Sequence, residues 1–240
     1  MGTDGKRARS GARGTDPARR APLSRGRALD AAVALADGEG LDALTMRRLA
    51  EALGVEAMSL YHHVPNKGAI LDGMVDRVFE EIELPRADLG WRAALRRRMC
   101  SVREVLLRHR WALRVLETRA SPGTATLAHH DAVLGRLRGE GFSVRLAAHA
   151  YAVLDSYVLG FVHTELGLPF RTVEEGRALA GQLVAAMPEG AFPHLVELTR
   201  ELILRPGARY TYADEFDFGL DLVLDGLERA RRVERRRARR

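Results

Sequence analysis

The chain has 240 residues, 46% of them hydrophobic and 29% charged, which fits one large domain or two modest ones. It lacks any run of about 18 consecutive apolar residues, which excludes a membrane-spanning helix, and its single cysteine, Cys100, excludes an intramolecular disulfide and a cysteine-based zinc cage. The formal net charge of +6 is unevenly placed: residues 1–27 and 226–240 each carry +6, and the body between them carries −6. Basic ends on an acidic body suit a polyanion, nucleic acid more readily than a membrane; they also suit tails kept for solubility.

Residues 1–22 contain no Val, Ile, Leu, Phe, Tyr or Trp. Such a stretch cannot offset its ordering entropy by burial, so a disordered basic arm is expected. It has no apolar h-region, so no secretory signal is expected and the cytoplasm is the expected compartment. From Leu23 onward apolar residues recur at helical spacing. A first helix is predicted from Ser24 to Asp37, burying Leu29, Val33 and Ala36 and ended by Gly38 and Gly40. Thr45 can cap a second, with Met46, Leu49, Ala50 and Leu53 on one face. Gly54 fits a left-handed turn position. A short third helix covers Glu56–His62 before Pro65 stops it. Asn66 can cap a fourth, which Pro85 ends, with Ile70, Met74, Val78 and Phe79 inward. Further helices are predicted near 88–108, 111–119, 124–139, 143–166, 173–187, 193–204 and 214–233. No stretch alternates with period two for long enough to argue a sheet.

The fold class predicted is therefore all-α: a three-helix helix-turn-helix domain over 23–68, a connecting helix over 69–83, and a larger helical domain over 84–240 that ends in a basic tail. Two helices are apolar on more than one side. In 143–166 one row is Ala147, Tyr151, Leu154, Val158 and Phe161, and another is Leu146, Ala150, Val153 and Tyr157. In 214–233 one row is Phe216, Leu220, Val223 and Leu227, with Phe218 and Leu222 on a second face. A surface helix needs one stripe, so two imply a deep core position or a subunit interface. Candidate interface residues are Tyr151, Leu154, Val158, Phe216, Leu220, Val223 and Leu227.

The run Thr45–Lys67 reads helix, glycine turn, helix, proline stop, within the length of a helix-turn-helix. Met46, Leu49, Leu53, Val55 and Leu60 would hold the two helices at a fixed angle. The second can then enter a DNA major groove, which admits one helix. A regular helix projects Met58, Ser59, Tyr61 and His62 away from Leu60. The helix start after Thr45 offers backbone N–H groups and a positive dipole end, and Lys67 places an ammonium at another helix start. Arg47 and Arg48 point away from their helix's apolar face. Residues 28–67 nonetheless carry a net −3, so groove binding must come from a few placed donors, with the basic arm as a contributor. Helix-turn-helix patterns also occur in helical proteins that bind no DNA.

The segment resembles the DNA-binding domain of the TetR family of bacterial transcriptional regulators. The carriers are Leu44-Thr45, Arg47 to Leu53, Gly54-Val55, Ser59-Leu60-Tyr61, His63 and Asn66-Lys67. Phe216–Glu228 also resembles the closing dimerisation helix of the tetracycline-repressor branch. The resemblance implies a homodimer, double-stranded DNA with a palindromic operator as partner, usually repression, and a small-molecule effector held in the C-terminal domain. It implies DNA contacts at Thr45, Arg47, Ala57, Met58, Ser59, Tyr61, His63 and Lys67. Ala57 and Met58 offer no hydrogen bond to a base edge, which leaves apolar contact with thymine methyls.

For an effector pocket the candidates are Met99, Val102, Leu106, Trp111, His130, Phe142, Tyr151, Tyr157 and Phe161; each also fits an ordinary core. His129-His130-Asp131 are consecutive, so their side chains diverge on a helix, and no metal is expected. No cofactor is expected either. The sequence has no Gly-x-Ser-x-Gly elbow, His-Glu-x-x-His pair, Walker loop or dinucleotide glycine pattern, so no enzyme is expected. Rival readings are a nucleic-acid-binding protein without effector, and a helical small-molecule carrier whose helix-turn-helix is vestigial.

Overall fold

The computed structural model describes residues 22–118, 122–208 and 210–237. The arm expected over 1–22 lies outside them except for Pro22, as do residues 238–240 of the basic tail. Among the described residues every regular element is a helix. The chain divides into two compact units, one through Met74 and one from Val75 onward.

The first unit opens with α1, Arg25–Glu39, whose start is capped by the Ser24 hydroxyl accepting from the Arg27 amide at 3.2 Å. It ends at Gly40, two residues later than predicted, with φ at 86°. A short 3₁₀ turn, Leu41–Ala43, follows. Helix α2, Met46–Leu53, is capped by Thr45 accepting from the Arg48 amide at 3.1 Å. It closes in a Schellman motif: Gly54 sits at φ 69°, and the Val55 amide reaches back to the Ala50 carbonyl at 3.0 Å. Helix α3 is Ala57–Tyr61. The helix expected to connect the domains is α4, Lys67–Glu80, and the division between the units falls inside it.

Leu29, Leu44, Leu49, Leu53, Leu60, Val64, Ile70 and Met74 are buried in this unit. Gly73 lets α4 approach α1: a Cβ there would lie 2.6 Å from the Leu29 methyls. Val33, expected inside, is only half-buried.

The second unit comprises the end of α4, α5 (Trp91–Arg108), α6 (Ala112–Thr118), α7 (Thr124–Gly139), α8 (Val144–Leu166), α9 (Val173–Ala186), α10 (Pro193–Leu198), a π-helical segment Thr199–Leu204, and α11 (Tyr212–Arg237). Helix α5 packs against α7, α8 and α11, and α8 packs against α7 and α11. The core of this bundle is Leu95, Met99, Val102 and Leu106 from α5, Leu146, Ala150, Leu154, Val158 and Val162 from α8, and Phe216, Leu220, Leu224 and Leu227 from α11.

Helix α11 shows why its sequence carries two apolar rows. The Phe216 row is the protomer's own core. Asp217, Asp221 and Asp225 form an acidic row at i, i+4 spacing, clamped to Arg92 and Arg96 of α5. Arg92 meets Asp221 at 3.2 Å and Asp225 at 2.5 Å; Arg96 meets Asp217 at 3.0 Å and Asp221 at 2.7 Å. Phe218 and Leu222 face outward, 65% and 58% exposed. The α8–α11 seam needs Gly219: a Cβ there would lie 2.4 Å from the Tyr157 oxygen, whose hydroxyl donates to the Phe216 carbonyl at 2.7 Å.

This packing corrects the interface residues expected from the sequence. Leu154, Val158, Phe216, Leu220 and Leu227 are buried inside one protomer. Tyr151 and Val223 are half-buried. The exposed large apolar side chains on these two helices are instead Val144, Val153, Phe218, Leu222 and Val233. Periodicity separated the rows correctly but could not say which one meets the chain's own α5.

Candidate functional site

The first candidate site is the face that α3 presents. Leu60 and Val64 are fully buried and fix the short helix from beneath. That leaves Ala57, Met58, Ser59, Tyr61, His62 and His63 exposed together, with Met58 at 69% and Tyr61 at 44%. Thr45, Arg47, Arg48 and Lys67 are exposed as well. The structure thus leaves every expected DNA-contact side chain open to solvent on the first unit. Lys67 stands at the first turn of α4, where the Asn66 side chain caps the Ala69 amide at 2.9 Å.

The two arginines of α2 are not equivalent. Arg47 reaches only Glu51, at 3.0 Å, with its side chain 89% exposed. Arg48 meets Glu39 at 2.6 Å and Glu51 at 3.9 Å. The hydrogen bond that Arg48 donates to Glu39, and the Glu39 charge, raise the Arg48 pKa. Exposed pairs of this kind contribute little stability, so either arginine can exchange its carboxylate for a phosphate at small cost. These carboxylates are also why the unit's charge balance does not look like a basic patch.

The second candidate site is a cavity of about 580 Å³ within the second unit. Its wall is mostly apolar: Phe79 from α4, Ile82, Val102 and Leu106 from α5, Leu113 and Leu116 from α6, Pro122, and Leu159 from α8. The polar groups on the wall are Arg98, Thr126, His130, Asp155 and His163. An apolar cavity with few polar groups is the usual form of a small-molecule site. The Tyr151 hydroxyl donates to Asp155 at 2.9 Å, and its ring stands edge-on to His130 at 4.7 Å between centroids. Burial first, and Asp155 second, raise the Tyr151 pKa. Burial lowers the pKa of His130 and of its buried neighbour His129. Among the described residues no group of three or more His, Cys, Asp or Glu could hold a metal ion.

Of the expected pocket residues, Val102, Leu106 and His130 line this cavity, and Tyr151 stands behind its wall. The rest belong elsewhere. Met99 is plain core. Phe142 is buried edge-on against Trp91 at 5.0 Å, with the Arg231 guanidinium 5.6 Å from each ring. Trp111 is buried beside His109. In the α8–α11 seam Tyr157 stacks on Phe216 and Phe161 meets the Phe216 ring edge-on. Aromatic content pointed to them, but aromatic rings fill helix seams as readily as they line cavities.

Sequence reasoning passed over Arg98 and Asp155. Arg98 had a signal: it lies three residues after Leu95 and four before Val102, on the apolar row of α5. A charge placed on a buried row is the informative exception.

A second cavity, about 670 Å³, lies between α9, the π-helical segment and Tyr210–Ala213, with Arg103, Glu165 and Phe170 on its wall. It holds none of the expected pocket residues. Arg103 and Glu165 pair there at 2.8 Å with both side chains largely buried, and the Arg103 guanidinium lies 5.3 Å from the centre of the Phe216 ring.

Comparison with known proteins gives these two units their relatives. Residues 28–74 match the tetR family of bacterial regulatory proteins, and residues 84–231 match the tetracyclin repressor-like C-terminal domain. The chain is 36% identical over 218 residues to the HTH-type transcriptional repressor DrrR1 of Streptomyces coeruleorubidus, covering 86% of this chain and 77% of that one. It is 31% identical to the class A tetracycline repressor from transposon 1721 of Escherichia coli, covering 85% and 90%. Its fold matches Streptomyces coelicolor ActR in complex with actinorhodin with a TM-score of 0.72 and 29% identity, over 88% of this chain and 99% of that one. Among the described residues no helix is long and apolar enough to cross a membrane. An all-α chain with an exposed helix-turn-helix face in one unit and a cavity in the other, matched by both family descriptions, belongs to the tetR family of bacterial transcriptional regulators.

Proposed function

We propose that this regulator is a cytoplasmic homodimeric repressor that binds a palindromic operator and leaves it when a small, largely apolar effector fills the 580 Å³ cavity. The observation that carries the reading is the course of α4. Its first residues, Lys67–Met74, belong to the helix-turn-helix unit, while Phe79 near its other end lines the cavity. Asp76 on the same helix abuts Gly123 so closely that a Cβ there would lie 2.1 Å from its carboxylate oxygens, and Pro122 next to Gly123 also lines the cavity. An effector that pushes on Phe79 or Pro122 therefore pushes on the helix that enters the DNA-binding unit. Coupling between such sites is typically about 1–3 kcal/mol.

The homodimer rests on Phe218, Leu222 and Val153, since paired outward apolar side chains on adjacent long helices suit a second copy. Two recognition helices would then meet DNA about one turn apart, roughly 34–36 Å. ActR, a structural relative solved in complex with actinorhodin, supports a small-molecule effector.

A labelled operator fragment titrated with wild type and Tyr61→Ala tests the DNA half. Tyr61→Ala should keep its helical circular dichroism and lose specific binding by about tenfold or more; wild-type affinity in the variant would remove α3 from the interface. Phe79→Trp tests the effector half, because a ligand that releases DNA should also change indole fluorescence. Release with no change in that signal would place the effector elsewhere.

A further inference from the structure

The cavity wall holds one polar group whose chemistry is unfinished. Arg98 is 2% exposed, and among the described residues its Nε and Nη1 have no hydrogen-bond partner. The other arginines that bind this bundle together each sit in an ion pair, Arg103 with Glu165, Arg92 and Arg96 with the aspartates of α11, and Arg231 with Glu228, although Arg96 Nη1 and Arg231 Nε also lack a hydrogen-bond partner among the described residues. Arg98 forms no such ion pair among the described residues. A guanidinium cannot shed its charge, and an unpaired buried charge is among the costliest arrangements in a folded chain. Such a charge costs stability unless something answers it, and a ligand can do so where the group lines a cavity.

We propose that the cavity takes a small acid, an apolar body carrying one carboxylate, and that Arg98 is the group that receives the carboxylate. The proposal rests on the reading of this cavity as the effector site. Arg98 and Asp155 are the charged side chains on the wall. Asp155 is already engaged by the Tyr151 hydroxyl and acts on Arg98 through its field without contacting it. A dianionic phosphate would meet one guanidinium and one carboxylate, and an amine would find Asp155 occupied and Arg98 repelling it. Of these groups a carboxylate is the one whose planar geometry a guanidinium matches best. The body of the ligand lies along Val102 and Leu106, one and two turns further on α5, against Phe79 and Leu159. Burial already weakens the hold of Arg98 on its proton, and an anion beside it reverses that tendency.

The test uses the full chain and three matched pairs of probes: benzoate and benzamide, 2-naphthoate and 2-naphthamide, and anthraquinone-2-carboxylate and its carboxamide. Isothermal titration at neutral pH should show at least one acid binding about tenfold or more tighter than its amide. In Arg98→Met that preference should fall to about one while amide affinity holds; Arg98→Lys should keep part of it. Equal affinity of acid and amide on wild type, or a preference that survives in Arg98→Met, overturns the carboxylate role, and amide binding in that case leaves the effector cavity standing. Binding by none of the six overturns both. Thermal melts give an independent reading that needs no ligand. Arg98→Met should melt no lower than wild type, because it removes an unanswered charge; a large drop would make Arg98 a structural residue. The wild-type acid-to-amide ratio decides the matter even if the variants do not fold.

Discussion

The two candidate sites of this chain are built in opposite ways. In the first unit the candidate site is what protrudes: a buried Leu60 and Val64 hold a short helix whose Met58, Ser59 and Tyr61 stand in solvent. In the second it is a cavity bounded by side chains from α4, α5, α6, α7 and α8. Protrusions are set by local rules. Once Thr45, Gly54 and Asn66 fix where α2 begins and ends and where α4 starts, the outward face of α3 follows. A cavity is set by gaps between helices far apart in the chain, and no local rule fixes a gap.

That contrast can be broken or sharpened by substitution. The largest effect should come from Leu60→Ala, which empties the support beneath α3. It should destabilise the first unit by about 2–5 kcal/mol and abolish specific DNA binding, as read by urea denaturation and operator titration. Gly73→Ala should follow at about 1–3 kcal/mol, because the added methyl would meet Leu29 at 2.6 Å. Unchanged stability there would show that α1 and α4 are free to separate.

Acid should act on the second unit through its histidines. Burial lowers the pKa of His129 and His130 in the folded chain. The unfolded chain therefore takes up protons first as pH falls below the ordinary histidine value of about 6.5. Stability from these groups is full above that value and is lost as pH falls through it toward the folded values. Melting temperature should drop between neutral pH and pH of about 5, and His129→Gln with His130→Gln should flatten that slope. An equal slope in the double variant would assign the loss to other groups.

Smaller effects test the exposed face. Lys67→Ala should weaken binding to all DNA sequences alike and reduce the log–log salt slope by about one, with no loss of stability. Met58→Ala, at a side chain 69% exposed, should change stability by less than about 0.5 kcal/mol. Its effect should appear only in the preference for particular operator bases. A change in stability larger than that would mean Met58 packs against the unit instead of facing out.

Much of this was legible in the sequence, and the residues show why. The helix spacing, the start at Ser24, the caps at Thr45 and Asn66 and the turn at Gly54 are local, and they placed the elements within a few residues. The same periodicity found both apolar rows of α11, yet assigned the Phe216 row to a partner when it is the protomer's own core. The acidic row Asp217, Asp221 and Asp225 lay between them and would have pointed to α5 had its arginines been paired with it. The cavity was the least legible. Three of the nine expected pocket residues line it, because burial and lining look alike from one helix. Arg98 was missed, although a charge on the apolar row of α5 was a signal that could have found it.

The proposed homodimer brings two copies of α3 to one duplex. Selection of bound sequences from a random DNA pool by the full chain tests it in a single measurement. The account predicts a twofold-symmetric site whose half-sites are centred about one helical turn, roughly 34–36 Å, apart. Recovery of a single asymmetric half-site, or of no preferred sequence, would contradict it.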